Sequence, residues 1–384
     1  MTHASAPPAS SSARPAASRT IPTETRDRLE RVRAAVAREG ADWVLVPASA
    51  DFRWITGAPA RSTERLLALA LPRQGEPFAV VPRLEADALA HECPWLELEV
   101  WDDADDPFER LERRMSLSRG PRILVGDGLR SAPLLRLAAR ARCAPAGAAL
   151  ADLRAIKEPG ELALLSEAAS HADRVIEEAE DFLRAGISER DVMAFVIQRF
   201  ETLGDREAWA IVASGPNGAK PHHFTSDRVL AEGDVVILDL GAYTGGYGSD
   251  ITRTVFIGAP SAEAERVYQI VNEARAAGIA AARDGVPAES VDRAARDVIG
   301  RAGYGEFFVH RTGHGVGLEV HELPYLVAGN TRPLRPGMVH SVEPGIYLPG
   351  RFGVRLEDLV VVEAQGARRL NQAPFDPRPP RLRS

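Results

Sequence analysis

Two apolar hairpins that carry acids constrain this chain more than any other feature. Residues 235–257, VVILDLGAYTGGYGSDITRTVFI, read as strand, turn and strand. The run 235–240 is apolar and β-branched at its start, as a buried strand requires. Gly241, Gly245, Gly246 and Gly248 interrupt it, and 251–257 resumes with Thr, Val, Ile and Phe. Asp239 and Asp250 sit inside this hairpin. A buried ionised carboxylate costs several kcal/mol unless a positive charge meets it. Arg253 and Arg301 are candidate partners, but two acids at the mouth of one hairpin point to a divalent cation. Residues 338–362 repeat the pattern. An apolar strand carries Glu343, a turn contains Pro344, Gly345, Pro349, Gly350 and Gly353, and a returning strand carries Glu357.

Between the hairpins lies HRTGHGVGLEVHE, residues 310–322, with three histidines. Four carboxylates and an imidazole can saturate two divalent ions, and oxygen-rich ligation suits hard or borderline metals such as Mn2+. The bland alternative is buried acids in ordinary ion pairs; any single Asp fits it, the whole set fits it poorly. Gly313 and Gly315 flank His314, with Gly317 beyond, so the backbone can approach closely and the imidazole can reach a crowded centre. These glycines do not follow a strand and open a helix, as a dinucleotide-binding fingerprint must. His321 is too far from His314 for a helical HExxH zinc site. The loop 214–228, SGPNGAKPHHFTSDR, has turn composition and leads into the Asp239 strand, which directs His222 or His223 towards the same centre.

The rest of the chain narrows the class. Its 384 residues suffice for two domains. Forty-seven basic against 54 acidic residues give a formal charge of −7, which argues against a general nucleic-acid binder. Cys93 and Cys143 form no CxxC, so neither a disulfide framework nor a thiolate zinc site is expected, as suits a cytoplasmic protein. No run of 18 apolar residues suggests a membrane span. Residues 1–21 are rich in Ala, Ser and Pro, lack the apolar core of a secretory signal, and read as a disordered tail.

Helices are expected over 23–39, 83–91, 107–115 and 131–142, and strands over 41–49, 66–72, 77–82 and 121–127. This alternation makes 22–150 an α/β domain without a cluster of chemistry-bearing residues. His91 and Cys93 read as packed or surface residues; Arg53, Trp54 and Arg61 are candidates to face a neighbouring domain. Residues 144–160, rich in Ala, Gly and Pro, read as a linker. A 3.6-residue stripe through Leu165, Ala168, Ala172, Val175, Ile176 and Ala179 predicts a helix over 161–184. Further helices are expected after Ser188 and over 262–282 and 288–302. They would cover one face of an antiparallel sheet, making 151–384 an α+β domain.

Six ordered segments carry a resemblance: IKEPGEL at 156–162, SGPNGAKPH at 214–222, LDLGAYTGGYGSDITRT at 238–254, HRTGHGVGLEVHE at 310–322, GMVHSVEPGIY at 337–347 and GVRLED at 353–358. Together they resemble the catalytic domain of the pita-bread (creatinase/aminopeptidase-like) metallopeptidases. The separate N-terminal domain, with FRWITGAPA at 52–60, looks like the Xaa-Pro dipeptidase (prolidase) and Xaa-Pro aminopeptidase branch. The resemblance implies that Asp239 ligates one metal in bidentate fashion, that Asp250 and Glu357 bridge two metals, and that His314 and Glu343 hold the second. It implies substrate and transition-state roles for His222 and His321, and a place for Arg355 near the product carboxylate. His223 and His340 stand where relatives commonly have smaller residues. A homodimer is also implied.

The function expected is hydrolysis of the Xaa-Pro bond by a pair of divalent ions, Mn2+ before Co2+ or Zn2+, with Glu343 as general base. Its substrate would be a small peptide ending in or containing Xaa-Pro. A dipeptidase needs a cation for the substrate's C-terminal carboxylate, and Arg355, Arg332 and Arg335 are the candidates. An aminopeptidase would leave that side open. A metal-dependent hydrolase or lyase for a small metabolite, and a binding protein without turnover, are the readings from other classes.

Overall fold

The computed structural model describes residues 20–59 and 64–378. Most of the expected tail, and Arg61, lie outside the described residues. The chain divides into two compact units between Leu150 and Ala151.

The first unit is a six-stranded sheet with helices. Its elements are α1 (Thr23–Arg38), β1 (Trp43–Pro47), α2 (Ala50–Thr56), β2 (Ala68–Pro72), β3 (Phe78–Pro82), α3 (Arg83–Glu92), β4 (Glu97–Trp101), α4 (Pro107–Met115), β5 (Arg122–Val125), α5 (Ser131–Ala138) and β6 (Arg142–Pro145). The strand order is β4-β3-β2-β1-β5-β6, with β1–β2 and β2–β3 antiparallel and the remaining pairs parallel. Leu45, Phe78, Val80, Leu111, Met115 and Ile123 meet in its core. The short helix α2 carries no long apolar stripe. It forms because Ser49 caps it, accepting from the Phe52 amide at 3.3 Å, and Gly57 closes it at φ 80°. Trp54 is buried there, so it packs rather than projects.

The boundary between the units falls within the segment 144–160, which is largely helical. It contains the end of β6, helix α6 (Gly147–Ala155) and the start of α7 (Pro159–Phe182). Alanine is the strongest helix former, Leu150 and Ala155 are buried, and Pro159 occupies the first turn of α7, where a missing N–H costs nothing.

The second unit continues with α8 (Glu189–Thr202), β7 (Arg206–Ser214), β8 (Val235–Thr244), β9 (Tyr247–Gly248), β10 (Ile251–Phe256), α9 (Ala262–Ala281), α10 (Ala288–Arg301), β11 (Gly313–Gly315), β12 (Glu322–Leu326), β13 (Val339–Val342), β14 (Gly345–Leu348), β15 (Phe352–Arg355), β16 (Asp358–Glu363) and β17 (Gly366–Arg369). One sheet has the order β10-β8-β7, with β9 on β8; a second is β12-β11-β13-β16-β17; β14 and β15 form a ribbon. The stretch 338–362 is therefore two nested antiparallel pairs, β13 with β16 and β14 with β15. Pro344 supplies no N–H to continue the first strand, and Pro349 with Gly350 turns the inner pair. An isolated bridge between Thr252 and Glu357 joins the two acid-bearing regions.

Strand periodicity decides which side chains face the chemistry. Val236, Leu238 and Leu240 of β8 pack against Ala172, Val175 and Ile176 of α7 and Val192, Val196 and Phe200 of α8. Side chains alternate along a strand, so Ile237 and Asp239 point the other way. There Ile237 meets Ala213 and Tyr347. On β10, Ile251 and Val255 join the helix-facing core, which leaves Thr252 and Thr254 on the side of Asp239. Helices α9 and α10 cover the inner ribbon, with Val267, Val271, Ala295 and Ile299 against Ile346 and Val354. Among the described residues no helix is long and apolar enough to cross a membrane.

Candidate metal centre

Five positions in or next to strands converge on one cavity of about 730 Å³. Asp239 lies within β8, Asp250 immediately before β10, His314 in the middle of β11, Glu343 just after β13 and Glu357 just before β16. All five side chains line the cavity, although more than 100 residues separate the first from the last. Gly313 and Gly315 let β11 run between its neighbours. A Cβ at Gly313 would overlap the Ser341 carbonyl, and one at Gly315 the Leu323 carbonyl.

One donor atom each from Asp250, His314 and Glu357 lie within 4.8 Å of one another. His314 Nε2 is 3.2 Å from Glu343 Oε1 and 3.6 Å from Asp250 Oδ2. Glu357 Oε2 accepts from Thr252 Oγ1 at 2.7 Å. Asp239 Oδ1 and Glu357 Oε1 are buried with no hydrogen-bond partner. Asp239 Oδ2 accepts from Arg355 Nη2 at 2.5 Å, so a bidentate grip by Asp239 would have to share that oxygen.

The acids frustrate one another without a cation. Burial, and then the neighbouring carboxylates Glu357, Asp239 and Glu343, push the Asp250 carboxyl well above its ordinary range. Burial followed by Glu343 and Asp239 does the same to Glu357. Burial also raises Asp239, against the opposing charge of Arg355. Burial pushes Glu343 upward too, but the hydrogen bond and charge of His314, helped by His310 and Arg355, outweigh it and hold this carboxyl down at about 2. Buried oxygens without donors, like charges in contact and an imidazole among them are properties that suit a divalent cation.

The surroundings fix these side chains. Arg355 Nη1 donates to Tyr347 Oη at 2.9 Å, and that oxygen is 2.7 Å from His310 Nε2. Ser341 Oγ accepts from the His314 amide at 3.0 Å and reaches Glu343 Oε1 at 3.2 Å. Arg253 does not pair with Asp239 or Asp250. It donates to Asp358 at 3.0 Å and to the carbonyls of Thr252 and Glu357, stapling the backbone on both sides of the centre. Arg301 is exposed.

Of the loop histidines, His222 lines the cavity and His223 turns inward. His223 Nε2 is 3.0 Å from Glu189 Oε2. Glu189, fully buried in the first turn of α8, also accepts from the Ser214 amide and hydroxyl, Asn217 Nδ2, and the Ser226 amide and hydroxyl, at 2.6–3.0 Å. Burial pushes this carboxyl up, but the combined donors prevail and hold it at about 2. Glu189 is thus the hub of the loop that presents His222. His321 lines the cavity with its ring 4.1 Å from that of His314. Burial and the charges of His314 and Arg311 push it down to about 4. The next residue, Glu322, is buried and accepts from Lys157 Nζ at 2.5 Å and from Arg154. His340 is wholly buried; its Nδ1 is 2.9 Å from the Ser341 carbonyl and its Nε2 has no partner.

Neither Arg332 nor Arg335 lines this cavity. Arg332 pairs with Asp152 and Arg335 with Asp284 at 3.2 Å, so nearby carboxylates hold both guanidinium groups outside it. Arg355 lines the cavity but is committed to Asp239 and Tyr347. Sequence reasoning did not single out Trp209, Ile211, Tyr243 and Val320, which give the cavity an apolar wall, nor Arg311, which also lines it.

Residues 163–364 match Metallopeptidase family M24, and residues 28–156 match the Creatinase/Prolidase N-terminal domain. A Mycobacterium tuberculosis protein described as a probable dipeptidase PepE is 43% identical over 357 residues, covering 91% of this chain and 95% of that protein. The crystal structure of dipeptidase PepE from Mycobacterium ulcerans superposes with a TM-score of 0.87 at 40% identity, covering 92% of this chain and 97% of that one. The prolidase of Thermococcus sibiricus gives a TM-score of 0.87 at 36% identity, covering 93% and 99%.

Proposed function

The chain belongs to metallopeptidase family M24, a creatinase-type N-terminal domain preceding a pita-bread catalytic domain, and from that premise we propose that it hydrolyses Xaa-Pro dipeptides with two divalent metal ions. The observation that carries the reading is the set of buried carboxylate oxygens in one cavity, two of them without a donor, beside His314. The likeness to a prolidase and to proteins described as dipeptidases supports the substrate class.

In this reading Asp239, Asp250 and Glu357 would hold one ion, and Asp250, His314, Glu343 and Glu357 would hold the other. The oxygen-rich set favours Mn2+, with Co2+ and Zn2+ as alternatives. When bound, the ions supply Lewis-acid activation of a water and of the scissile carbonyl. Glu343, ionised at neutral pH, takes the proton of the attacking water and returns it to the leaving proline nitrogen. His321, neutral at that pH, donates an N–H to the oxyanion, and His222 closes on the substrate from its exposed loop. Trp209, Ile211, Tyr243 and Val320 provide apolar contact for the substrate's side chains.

The test is a panel of Ala-Pro, Ala-Ala and Ala-Pro-Yaa-Zaa with purified protein and each of the three metals. Preferential cleavage of Ala-Pro is expected. Faster cleavage of the tetrapeptide would make the protein an Xaa-Pro aminopeptidase, and no cleavage with any metal would remove the peptidase reading.

A further inference from the structure

We propose that Arg311 is the specificity residue of the cavity, a guanidinium that binds the free α-carboxylate of a dipeptide's second residue. This rests on the dipeptidase reading above and names the residue that enforces it.

Two arginines line the cavity, Arg311 and Arg355. Arg355 is buried and spends its donors on Asp239, Tyr347 and Thr252. Arg311 is half-buried, and its guanidinium meets no hydrogen-bond acceptor and no carboxylate among the described residues. It lies over the Tyr325 ring, whose centroid is 4.3 Å away. An aromatic face holds a guanidinium plane while leaving its edge donors free, and those donors match a carboxylate with two parallel bonds.

The backbone beneath Arg311 is fixed on both sides. Thr312 donates to Asp292 Oδ1 from its amide at 3.0 Å and from its hydroxyl at 2.8 Å. His310 Nε2 is held at Tyr347 Oη, and its Nδ1 is 2.8 Å from the Arg311 carbonyl. Arg296 braces the same turn by binding Asp292 and the Phe308 and His310 carbonyls. A cation delivered this rigidly loses little entropy on binding. It lines the same cavity as His321. A substrate carboxylate on Arg311 therefore sits in the same cavity as the oxyanion donor, so the chain can extend only a short way past the scissile bond.

The experiment compares kcat/KM of wild type, Arg311→Ala and Arg311→Lys on Ala-Pro and on its C-terminal amide, which lacks the carboxylate. Wild type should prefer the acid. Arg311→Ala should lose roughly 10- to 100-fold on the acid, mainly through KM, and little on the amide. Lysine should recover part of the loss, since it keeps the charge and lacks the fork. Equal losses on both substrates, or no loss on the acid, would overturn the assignment. If wild type prefers Ala-Ala, the proline reading fails, and the acid-against-amide comparison on Ala-Ala decides Arg311 in the same way. If no dipeptide is cleaved, calorimetric titration with proline and prolinamide replaces turnover. A proline-only weakening in Arg311→Ala supports the clamp, and unchanged affinities reject it.

Discussion

Arg355 Nη2 donates to Asp239 Oδ2 across 2.5 Å, and both side chains are buried. The bond joins β15 to β8 and leaves the other Asp239 oxygen for the cavity. Removing the guanidinium would leave Asp239 free to turn. Arg355→Ala should weaken metal binding roughly 10- to 100-fold, the usual effect of losing a group that orients a ligand. Competition against a fluorescent chelator measures this, and an unchanged affinity would show that β8 alone orients Asp239.

Asp250 makes an opposite prediction for stability. Its charge is opposed by burial and by three neighbouring carboxylates. Asp250→Asn should therefore stabilise the metal-free protein by about 1–2 kcal/mol while weakening metal binding severely. Urea denaturation in excess chelator is the measurement. A less stable variant would mean that the acids are not in conflict.

Metal content follows from the same groups. If the five proposed ligands include two shared carboxylates, the chain should bind two ions, and each saturated site should add about 2.7 kcal/mol at a hundredfold excess over its Kd. Elemental analysis and thermal melts on one sample check both. One tightly held ion at full activity would contradict the dinuclear reading.

Glu189 gives a pH dependence away from the centre. Its folded pKa, about 2, lies below the unfolded value near 4.3. A depressed carboxyl stabilises the fold above the unfolded pKa, and that contribution is lost as pH falls through the folded one. Glu189→Gln should cost about 2 kcal/mol at pH 7, and the gap to wild type should narrow as pH drops from about 4.3 towards 2. A gap independent of pH would assign the loss to packing.

The acid-bearing strands were legible because a carboxylate within an apolar run has few structural excuses, and Asp239, Asp250, Glu343, Glu357 and His314 do share one cavity. The α7 stripe was legible because ten of its residues are buried at helical spacing. Helix α6 was not, since its Ala-rich run carries little periodic apolar signal and only packing shows that Leu150 and Ala155 are inside. Arginine roles were the least legible. Nothing in a string of letters says that Asp152 captures Arg332, or that Arg311, two residues from a glycine-flanked strand, keeps its donors free.

Glu322 sets a limit on how far the molecule can be trimmed. Its buried carboxylate is neutralised by Lys157 and Arg154, which precede the stretch matched to the peptidase family. A fragment starting at Ala163 would keep every proposed ligand yet strand that anion beside His321. The smallest autonomous enzyme must therefore begin upstream of Arg154, where the boundary of the compact unit falls.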